Sequence, residues 1–354
     1  MADTTIVAGN IVEQWDENFF EEYNRADKLM PYHGTSENSI IQVKENLTKK
    51  AGDKLTVSLV TRLTGAGVVG SATLEGNEEA LDNYADQVTI NQIRNAVRIA
   101  KMEEIKTVID MRDAAKVQLK NWMANHKLST EIHAFMSPNL DGVTVYGSTA
   151  EADRDAWALA NSDRVLFGSA IANFTGDHSV DLAKVDSVND MLSPGTLSLA
   201  KRMAKMASPS IRPVKLSNGE EWFVAFAPSY AFRDLKNHAT ITAAQREAML
   251  RGEGNPLFSG GDILWDGIIV KEVEEIPSIV GEGNAGIDVS TVLFCGAQAL
   301  TVAWGQRTKS TTKTFDYEDK YGIAIGEIRG IKKLFFNDKQ HGLLTLYVAN
   351  VADA

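Results

Sequence analysis

Residues 54–92 contain two strand-like segments joined by a long, glycine-punctuated stretch, and no other feature constrains the fold as strongly. Apolar and polar residues alternate from Leu55 to Leu63, which is the pattern of a half-buried β-strand. A second extended segment begins near Asp86. The stretch between them holds three glycines and three glutamates: Gly65, Gly67, Gly70, Glu75, Glu78 and Glu79. The sequence therefore predicts a long two-stranded arm with a flexible tip.

A projecting two-stranded arm needs a surface to lie on, because an isolated hairpin is only marginally stable in water. We expect that surface to belong to a second copy of the same chain. Arg62 on the outgoing strand and the acidic residues of the tip would offer charges to it. The residues predicted to contact a neighbouring subunit are Trp15, Phe19, Arg62, Gly65, Gly67, Gly70, Glu75, Glu78 and Glu79.

The N-terminal segment predicts a short amphipathic helix over residues 12–23. Val12, Trp15, Phe19 and Tyr23 recur at helical spacing, so one face of that helix is apolar. Two interpretations remain open at this point. The helix packs on the core of its own domain, or it is a clasping arm that docks on a neighbour.

A long helical pattern follows the arm, starting near Asn91 or Met102 and ending at about Leu128. Shorter helices are predicted over residues 150–160 and 165–174. Another begins at Ser193 or Thr196 and continues to Met206. Strand patterns appear at residues 212–216, 221–226, 290–295, 323–331 and 343–348. Helical regions lie between strands that are distant in sequence, which favours an α+β fold over an alternating doubly wound sheet.

Composition excludes several classes of protein. The length of 354 residues suggests roughly two domain-sized units. The net charge of −11 argues against nucleic-acid binding over the whole surface. No apolar window is long enough for a membrane helix, and we expect no secretory signal at the N-terminus. Cys295 is the sole cysteine, which rules out an intrachain disulfide and fits synthesis in a reducing compartment.

Motifs for catalysis, cofactors or metals are weak. Gly65, Gly67 and Gly70 match the spacing of a dinucleotide-binding loop, but no helix pattern follows directly and nearby glutamates would repel a pyrophosphate. His126 and His133 are seven residues apart, which is not the spacing of a helical zinc pair. Cys295 lies in an apolar strand pattern and reads as a small buried hydrophobe. We predict no catalytic residue, no cofactor and no metal.

Several blocks of the sequence resemble the major capsid proteins of podophages typified by coliphage N-four. Two of them are Gln-Trp-Asp-Glu-Asn-Phe-Phe at 14–20 and Gln-Ile-Arg-Asn-Ala-Val-Arg at 92–98. Further similar blocks lie at residues 42–54, 74–79, 294–300, 315–317 and 326–332. The resemblance covers nearly the whole chain. It implies a tailed-phage head protein.

The resemblance implies the Hong Kong 97-type phage capsid fold. This α+β fold has an N-terminal arm, an extended β-hairpin loop, a long spine helix, a peripheral domain and an axial domain. On that basis residues 1–52 are the N-terminal arm and 53–92 the extended loop. Residues 93–180 are the spine helix and first part of the peripheral domain, 181–288 the axial domain, and 289–354 the C-terminal strands.

By the same resemblance, copies of the chain self-assemble as hexamers and pentamers into an icosahedral shell around double-stranded DNA. The implied partners are further copies, a separate scaffolding protein, a portal protein, a decoration protein and the packaged DNA, with no membrane. We expect synthesis in the host cytoplasm and no cleavage beyond removal of Met1. The alternatives are an encapsulin-like compartment shell that holds cargo and a hydrolase that uses dispersed carboxylates.

Overall fold

A computed structural model describes residues 27–45, 52–107, 109–215, 219–249 and 262–352. The predicted N-terminal helix, with Trp15 and Phe19, lies outside the described residues. The chain divides into two compact units. The smaller unit contains Gln92–His126 and Arg307–Glu327, and the larger contains Lys28–Asn91, Lys127–Gln306 and Ile328–Ala354. Among the described residues, no helix combines the length and apolar character that crossing a membrane requires.

The two longest strands, β12 and β13, lie near the end of the chain. In chain order they are β1 (His33–Gly34), β2 (Ile41–Lys44), β3 (Lys54–Val60), β4 (Asn83–Thr89), β5 (Asn91–Ala100), β6 (Val165–Phe167), β7 (Val214–Lys215), β8 (Glu221–Ala227), β9 (Ile263–Trp265), β10 (Ile268–Glu272), β11 (Asp288–Cys295), β12 (Leu300–Phe315), β13 (Lys320–Lys332), β14 (Phe335–Phe336), β15 (Lys339–Gln340) and β16 (Leu343–Asn350).

One helix is much longer than the others. The helices are α1 (Lys101–Lys106), α2 (Met111–Met136), α3 (Glu151–Ala160), α4 (His178–Leu182), α5 (Pro194–Met206), α6 (Ser229–Asn237) and α7 (Ala239–Met249). Ser193 caps α5, because its hydroxyl accepts a hydrogen bond from the Thr196 backbone N–H at 3.1 Å. The predictions for α3 and α5 are confirmed.

The larger unit is built on a sheet with the strand order β6-β16-β11-β8-β10-β9, and β7 pairs with β8 at one side. β11 and β16 run antiparallel from Asp288 opposite Asn350 to Cys295 opposite Leu343. Every residue of β16 is buried. Strands covered on both faces read as continuous apolar runs, which explains why residues 343–348 lack polar alternation.

Helices cover both faces of this sheet. Phe223 and Ala225 of β8 pack into a core with residues of α5 and α6. Val224 and Phe226, one residue along, pack into a second core with Ile132 and its neighbours at the end of α2. Successive side chains of a strand point to opposite faces, so β8 contributes to two cores at once. Helices and a mixed sheet arranged in this way confirm the α+β prediction.

In the smaller unit, α2 covers one face of a sheet. The distal parts of β12 and β13 run beside β5 in the order β12-β13-β5. Leu119 and Met123 of α2 pack against Ile99 of β5 and against Ile323 and Ile325 of β13. In the larger unit, the first residues of β12 pair in parallel with β2, which pairs in parallel with β1.

Of the two predicted starts of the long helix, Asn91 is wrong, and Met102 lies in the separate helix α1, which ends at Lys106. Residues 91–100 form β5, and α2 begins only at Met111, where the Asp110 carboxylate accepts hydrogen bonds from the backbone N–H groups of Arg112 and Asp113 at 2.9 and 3.1 Å. Ile93, Ala96, Val97 and Ala100 recur at helical spacing, whereas Ile93, Val97 and Ile99 recur at strand spacing. Pairing with β13 decides the outcome. The helix also continues eight residues past Leu128, to Met136.

The helix predicted over residues 165–174 is also wrong. Residues 165–167 form β6, which pairs in parallel with β16, and residues 171–173 form a single 3-10 turn. A short apolar run does not distinguish a buried strand from a buried helix. Residues 165–167 form a strand because they pair with the edge of β16.

Lys333 is a fully buried cation at the C-terminal end of α2. Its Nζ donates hydrogen bonds to the backbone carbonyls of Ser137 at 2.7 Å and Phe135 at 3.4 Å. The same nitrogen lies 5.1 Å from the Trp157 ring centroid and 5.5 Å from that of Phe335. These carbonyls would otherwise be unpaired at a helix end, so Lys333 caps the helix. Burial lowers the pKa of Lys333 to about 7.

This pKa predicts a specific pH dependence. The ordinary pKa of 10.5 applies to the unfolded chain, so above pH 7 the unfolded state binds more protons and the free energy of unfolding rises with pH. Urea denaturation of Lys333→Met and the parent chain at pH 7 and pH 9.5 should show a stability difference that grows by roughly 2–4 kcal/mol in favour of the parent. A difference independent of pH would contradict a buried, proton-releasing Lys333.

Candidate inter-subunit surfaces

The predicted arm is a two-stranded hairpin of β3 and β4. The strands pair antiparallel from Lys54 opposite Thr89 to Val60 opposite Asn83. Leu55 and Val88 face each other and are buried, and farther along the strands Val57, Leu59 and Tyr84 are half-buried against the same core. The strands therefore lie on the larger unit along their length, and the residues beyond them are mostly exposed.

The base of the hairpin is fixed by packing and by one carboxylate. Leu55 and Val88 pack against Ala303, Leu334 and Phe336 of the larger unit. Nearby, the carboxylate of Asp86 pairs with the Lys332 ammonium and accepts a hydrogen bond from the Phe335 backbone N–H at 2.9 Å. A charge-assisted contact of low exposure holds the hairpin more firmly than a surface ion pair would.

The backbone at the end of β4 lies very close to the backbone of β13. A Cβ atom placed on Gly330 would lie 2.2 Å from the carbonyl oxygen of Thr89. Only glycine permits this distance, because any side chain at position 330 would push the strand away. Gly330 is thus the residue that lets β4 lie against β13.

The tip, residues 61–82, has no helix or strand, and its own carboxylates organise it. Glu79 accepts hydrogen bonds from the backbone N–H groups of Thr64 at 2.6 Å and Gly65 at 2.7 Å. Those bonds lower the pKa of Glu79. Glu78 accepts a bond from the Gly76 N–H at 2.8 Å. These two glutamates therefore hold the tip together.

Large apolar side chains of the tip are exposed. Val69 is 84% exposed, three leucines exceed half exposure, and Val68 is partly exposed; the leucines are Leu63, Leu74 and Leu81. Exposed apolar residues grouped on one segment indicate an interaction surface more strongly than scattered ones do. The tip therefore has the composition of a segment that another surface covers.

The structure places seven of the predicted contact residues in this tip. Gly67 and Gly70 have φ of +67° and +74°, which favours glycine over other residues. Gly65 adjoins the Glu79 carboxylate, while Glu75 and Arg62 are exposed and make no ion pair within the described part of the chain. Their contact with a neighbour stays a prediction.

A groove of about 540 Å³ lies between the hairpin and the body of the larger unit. Its lining includes Leu59, Arg62, Tyr84, residues 208–210, Phe336, Lys339 and His341. Burial lowers the pKa of His341 to about 4, so the imidazole is neutral at physiological pH. Sequence reasoning missed this groove, because its walls come from four segments that are far apart in the chain.

Other chemical features have structural explanations. Oxygens of Glu151, Asp155 and Asp177 lie within 4.8 Å of one another, and each carboxylate accepts a hydrogen bond from a backbone N–H at the start of α4. That arrangement matches the preference of helix N-termini for negative charge. Cys295 is buried, and burial raises the pKa of its thiol. This is the environment of an inert cysteine.

Comparison with known proteins identifies the family. The family described as "Phage capsid protein" matches residues 3–350. The chain belongs to the phage capsid protein family. A major capsid protein of Pseudomonas phage KPP25 is 29% identical over 358 residues, which cover 95% of this capsid protein and 94% of the relative.

Solved structures agree with this assignment. The cyanophage Pam1 capsid asymmetric unit matches with a TM-score of 0.92 and 33% identity, covering 100% of both chains. The capsid of Ralstonia phage GP4 matches with a TM-score of 0.75 over 100% of both chains, and at 23% identity it shows the fold alone. The prediction of a tailed-phage major capsid protein is confirmed. The capsid protein is a structural component of the virion and not an enzyme.

The anchored base predicts a clear difference between two aspartates of the capsid protein. Asp86→Ala removes the contacts to Lys332 and Phe335, and should cost about 1–3 kcal/mol locally. Amide hydrogen exchange in β3 and β4 should accelerate. Asp82→Ala, at an exposed carboxylate just outside β4, is the control and should leave exchange unchanged. If the amides of β3 and β4 exchange at the same rate in both variants, apolar packing alone holds the base of the hairpin in place.

Proposed function

We propose that this major capsid protein has the Hong Kong 97-type fold and forms hexamers and pentamers of an icosahedral shell around double-stranded DNA. The observation that carries the proposal is the hairpin whose tip exposes large apolar side chains. In this proposal β3 and β4 are the extended loop, α2 is the spine helix, and the chain is related to the coliphage N-four group of podophages.

The hairpin explains why the shell would consist of many identical contacts. The exposed tip of the hairpin gains stability when a neighbour covers its apolar side chains. A contact in which one copy uses its arm and the next copy uses a different surface is heterologous. Such contacts close into a ring when the rotation from one copy to the next is a full turn divided by a whole number. Hexameric and pentameric rings satisfy that condition.

The proposal extends to the division of the chain and to its partners. Residues 1–52 and 53–92 would be the N-terminal arm and extended loop, 93–180 and 181–288 the peripheral and axial parts, and 289–354 the closing strands. A separate scaffolding protein, a portal protein, a decoration protein and DNA at the inner face complete the partners. Synthesis takes place in the host cytoplasm.

Electron microscopy of the purified protein tests the proposal. Expression with its scaffolding partner should give uniform polyhedral particles, and sedimentation should separate them from rings of five and six copies. Nuclease-protected double-stranded DNA in particles from infected cells would support the head function. A compact monomer under all these conditions would contradict the assembly proposal.

Reversal of two tip glutamates tests the role of the arm. Glu78→Lys with Glu79→Lys removes the bonds to Gly76, Thr64 and Gly65, and should leave circular dichroism unchanged while particle yield falls at least several-fold. The control is Asp153→Lys, at an exposed carboxylate on α3. Normal heads with normal heat resistance would refute an interface role, and loss of fold would place the arm in the core.

A further inference from the structure

The end of α5 borders a shallow groove on the surface of the larger unit. The groove has a volume of about 370 Å³, and its walls come from α5, from the loop after α3 and from the turn after β6. The lining residues that matter here are Asp163, Ile171, Arg202, Met203, Met206 and Ala207. We call this surface the α5 groove.

Two large apolar side chains of the α5 groove are exposed. Met206, the last residue of α5, is 77% exposed, and Ile171 is 50% exposed. Met203 lies one turn back along α5 and belongs to the core beneath the groove. Methionine side chains are flexible and adapt to partners of different shape. Exposed apolar residues that share one concave surface indicate a binding site more strongly than scattered ones do.

The rim of the α5 groove is positively charged. Arg202 precedes Met206 by four residues and shares its side of α5, and Lys205 is its exposed neighbour in sequence. Within the described part of the chain, neither cation makes a hydrogen bond or an ion pair. The groove's carboxylate, Asp163, is already paired with Lys339 at 3.1 Å. The surface therefore suits an apolar segment that carries negative charge.

The N-terminal segment, residues 1–26, has that composition and lies outside the described residues. It contains one cationic side chain, Arg25, and six carboxylates: Asp3, Glu13, Asp16, Glu17, Glu21 and Glu22. Its apolar stripe contains three aromatic side chains, at positions 15, 19 and 23. Of the other undescribed segments longer than three residues, 46–51 carries two lysines and no carboxylate, and 250–261 carries one charge of each sign. Charge complementarity thus favours the N-terminal segment.

The predicted helix over residues 12–23 also places its charges suitably. At 3.6 residues per turn, Asp16 and Glu22 fall on either side of the apolar stripe, each within about 65° of its centre. Glu17 and Glu21 fall on the far side of the helix. When the stripe enters a groove, the first pair meets the rim and the second pair faces water.

The point where the described chain begins favours a groove on another copy. Leu29 packs into the core on the α2 side of the central sheet, together with Ile132. Met203 and Ala204 of α5 pack into the core on the opposite side. The N-terminal segment therefore starts on the side of the sheet away from the α5 groove of its own chain.

We propose that the N-terminal segment of one copy docks as an amphipathic helix in the α5 groove of a second copy. The inference rests on the proposed shell function and assigns a specific contact to it. Aromatic side chains of the segment cover the exposed apolar pair of the groove, and its flanking carboxylates lie opposite the two rim cations. Aromatic anchors supply much of the binding energy at interfaces, while charges select register and partner.

Photochemical crosslinking in assembled particles locates the segment directly. The photoreactive residue p-benzoyl-phenylalanine replaces Phe19 in the full chain, and mass spectrometry identifies the linked peptides. The links should map to Ile171 and Met206. Particles assembled from a mixture of ¹⁵N-labelled and unlabelled copies should contain links between a labelled and an unlabelled peptide, which form only between copies. The same probe in place of Glu17, on the far side of the predicted helix, is the control and should link to the groove at least several-fold less.

Charge reversal tests the pairing at the rim. The segment variant carries Asp16→Lys and Glu22→Lys, and the groove variant carries Arg202→Glu and Lys205→Glu. Each should lower the yield of groove links roughly tenfold, because two attractive pairs become repulsive. A swap variant with all four changes should recover most of the yield.

A matched control separates the rim pairing from a general effect of charge. Glu17→Lys with Glu21→Lys makes the same change in net charge on the far side of the predicted helix, and should leave the yield of groove links unchanged. Circular dichroism checks folding, and Arg202→Gln with Lys205→Gln replaces the groove variant if that variant misfolds. Loss of particles in both single-sided variants, with recovery in the swap variant, would support the same pairing.

Protection of Met206 is an independent readout. Peroxide should oxidise Met206 at least several-fold more slowly in parental particles than in particles of Trp15→Ala with Phe19→Ala, because a docked helix covers the thioether. If Met206 is equally protected when residues 2–26 are deleted, another occupant covers the groove and the proposal is wrong.

Three further outcomes overturn the proposal. They are links that map to another surface of the neighbour, links confined to a single chain, and a swap variant as defective as its two parents. In each case parental particles still form, so the assembly function survives. Absence of parental particles would instead refute the proposed function on which the inference rests.

Discussion

Burial of the central sheet on both faces is the constraint from which the rest of the larger unit follows. Alternate side chains of β8 enter two separate cores, and its buried part, residues 223–227, accordingly contains no polar side chain. The end of α2 lies on one face, and α5 and α6 on the other. Lys333 is then buried where α2 ends, with backbone carbonyls and aromatic rings as its surroundings. A rigid body of this kind can carry a hairpin whose own stability is marginal.

Sequence periodicity correctly predicted those elements whose apolar pattern fits a helix or a strand but not both. The hairpin alternates cleanly, α5 has its Ser193 cap, and β16 is a continuous apolar run of strand length. The sequence pattern failed for β5 and β6, where apolar spacing fits a helix and a strand equally well and a neighbouring strand edge decides. Asp110 was the overlooked signal for the start of α2.

The candidate surfaces were also predictable only in part. Local composition marked the tip, because glycines and glutamates there are close in sequence. The groove beside His341 and the anchoring role of Asp86 depend on residues hundreds of positions away, which no local pattern contains. Arg94 and Arg98 lie on β5 and Lys309 and Lys313 on β12, and only the order β12-β13-β5 places these two distant segments in one sheet.

Gly330 gives the hairpin a mechanical property. The paired strands extend about 20 Å from the base, at about 3.3 Å per residue over seven residues. A tilt of about 5° at the base displaces their far end by roughly 2 Å, which is enough to separate two packed surfaces. The absence of a side chain at Gly330 allows Thr89 to approach β13 and so helps to set that angle. The direction in which the hairpin leaves the larger unit is thus controlled at the opposite end of the strands from the tip, by a residue that has no side chain.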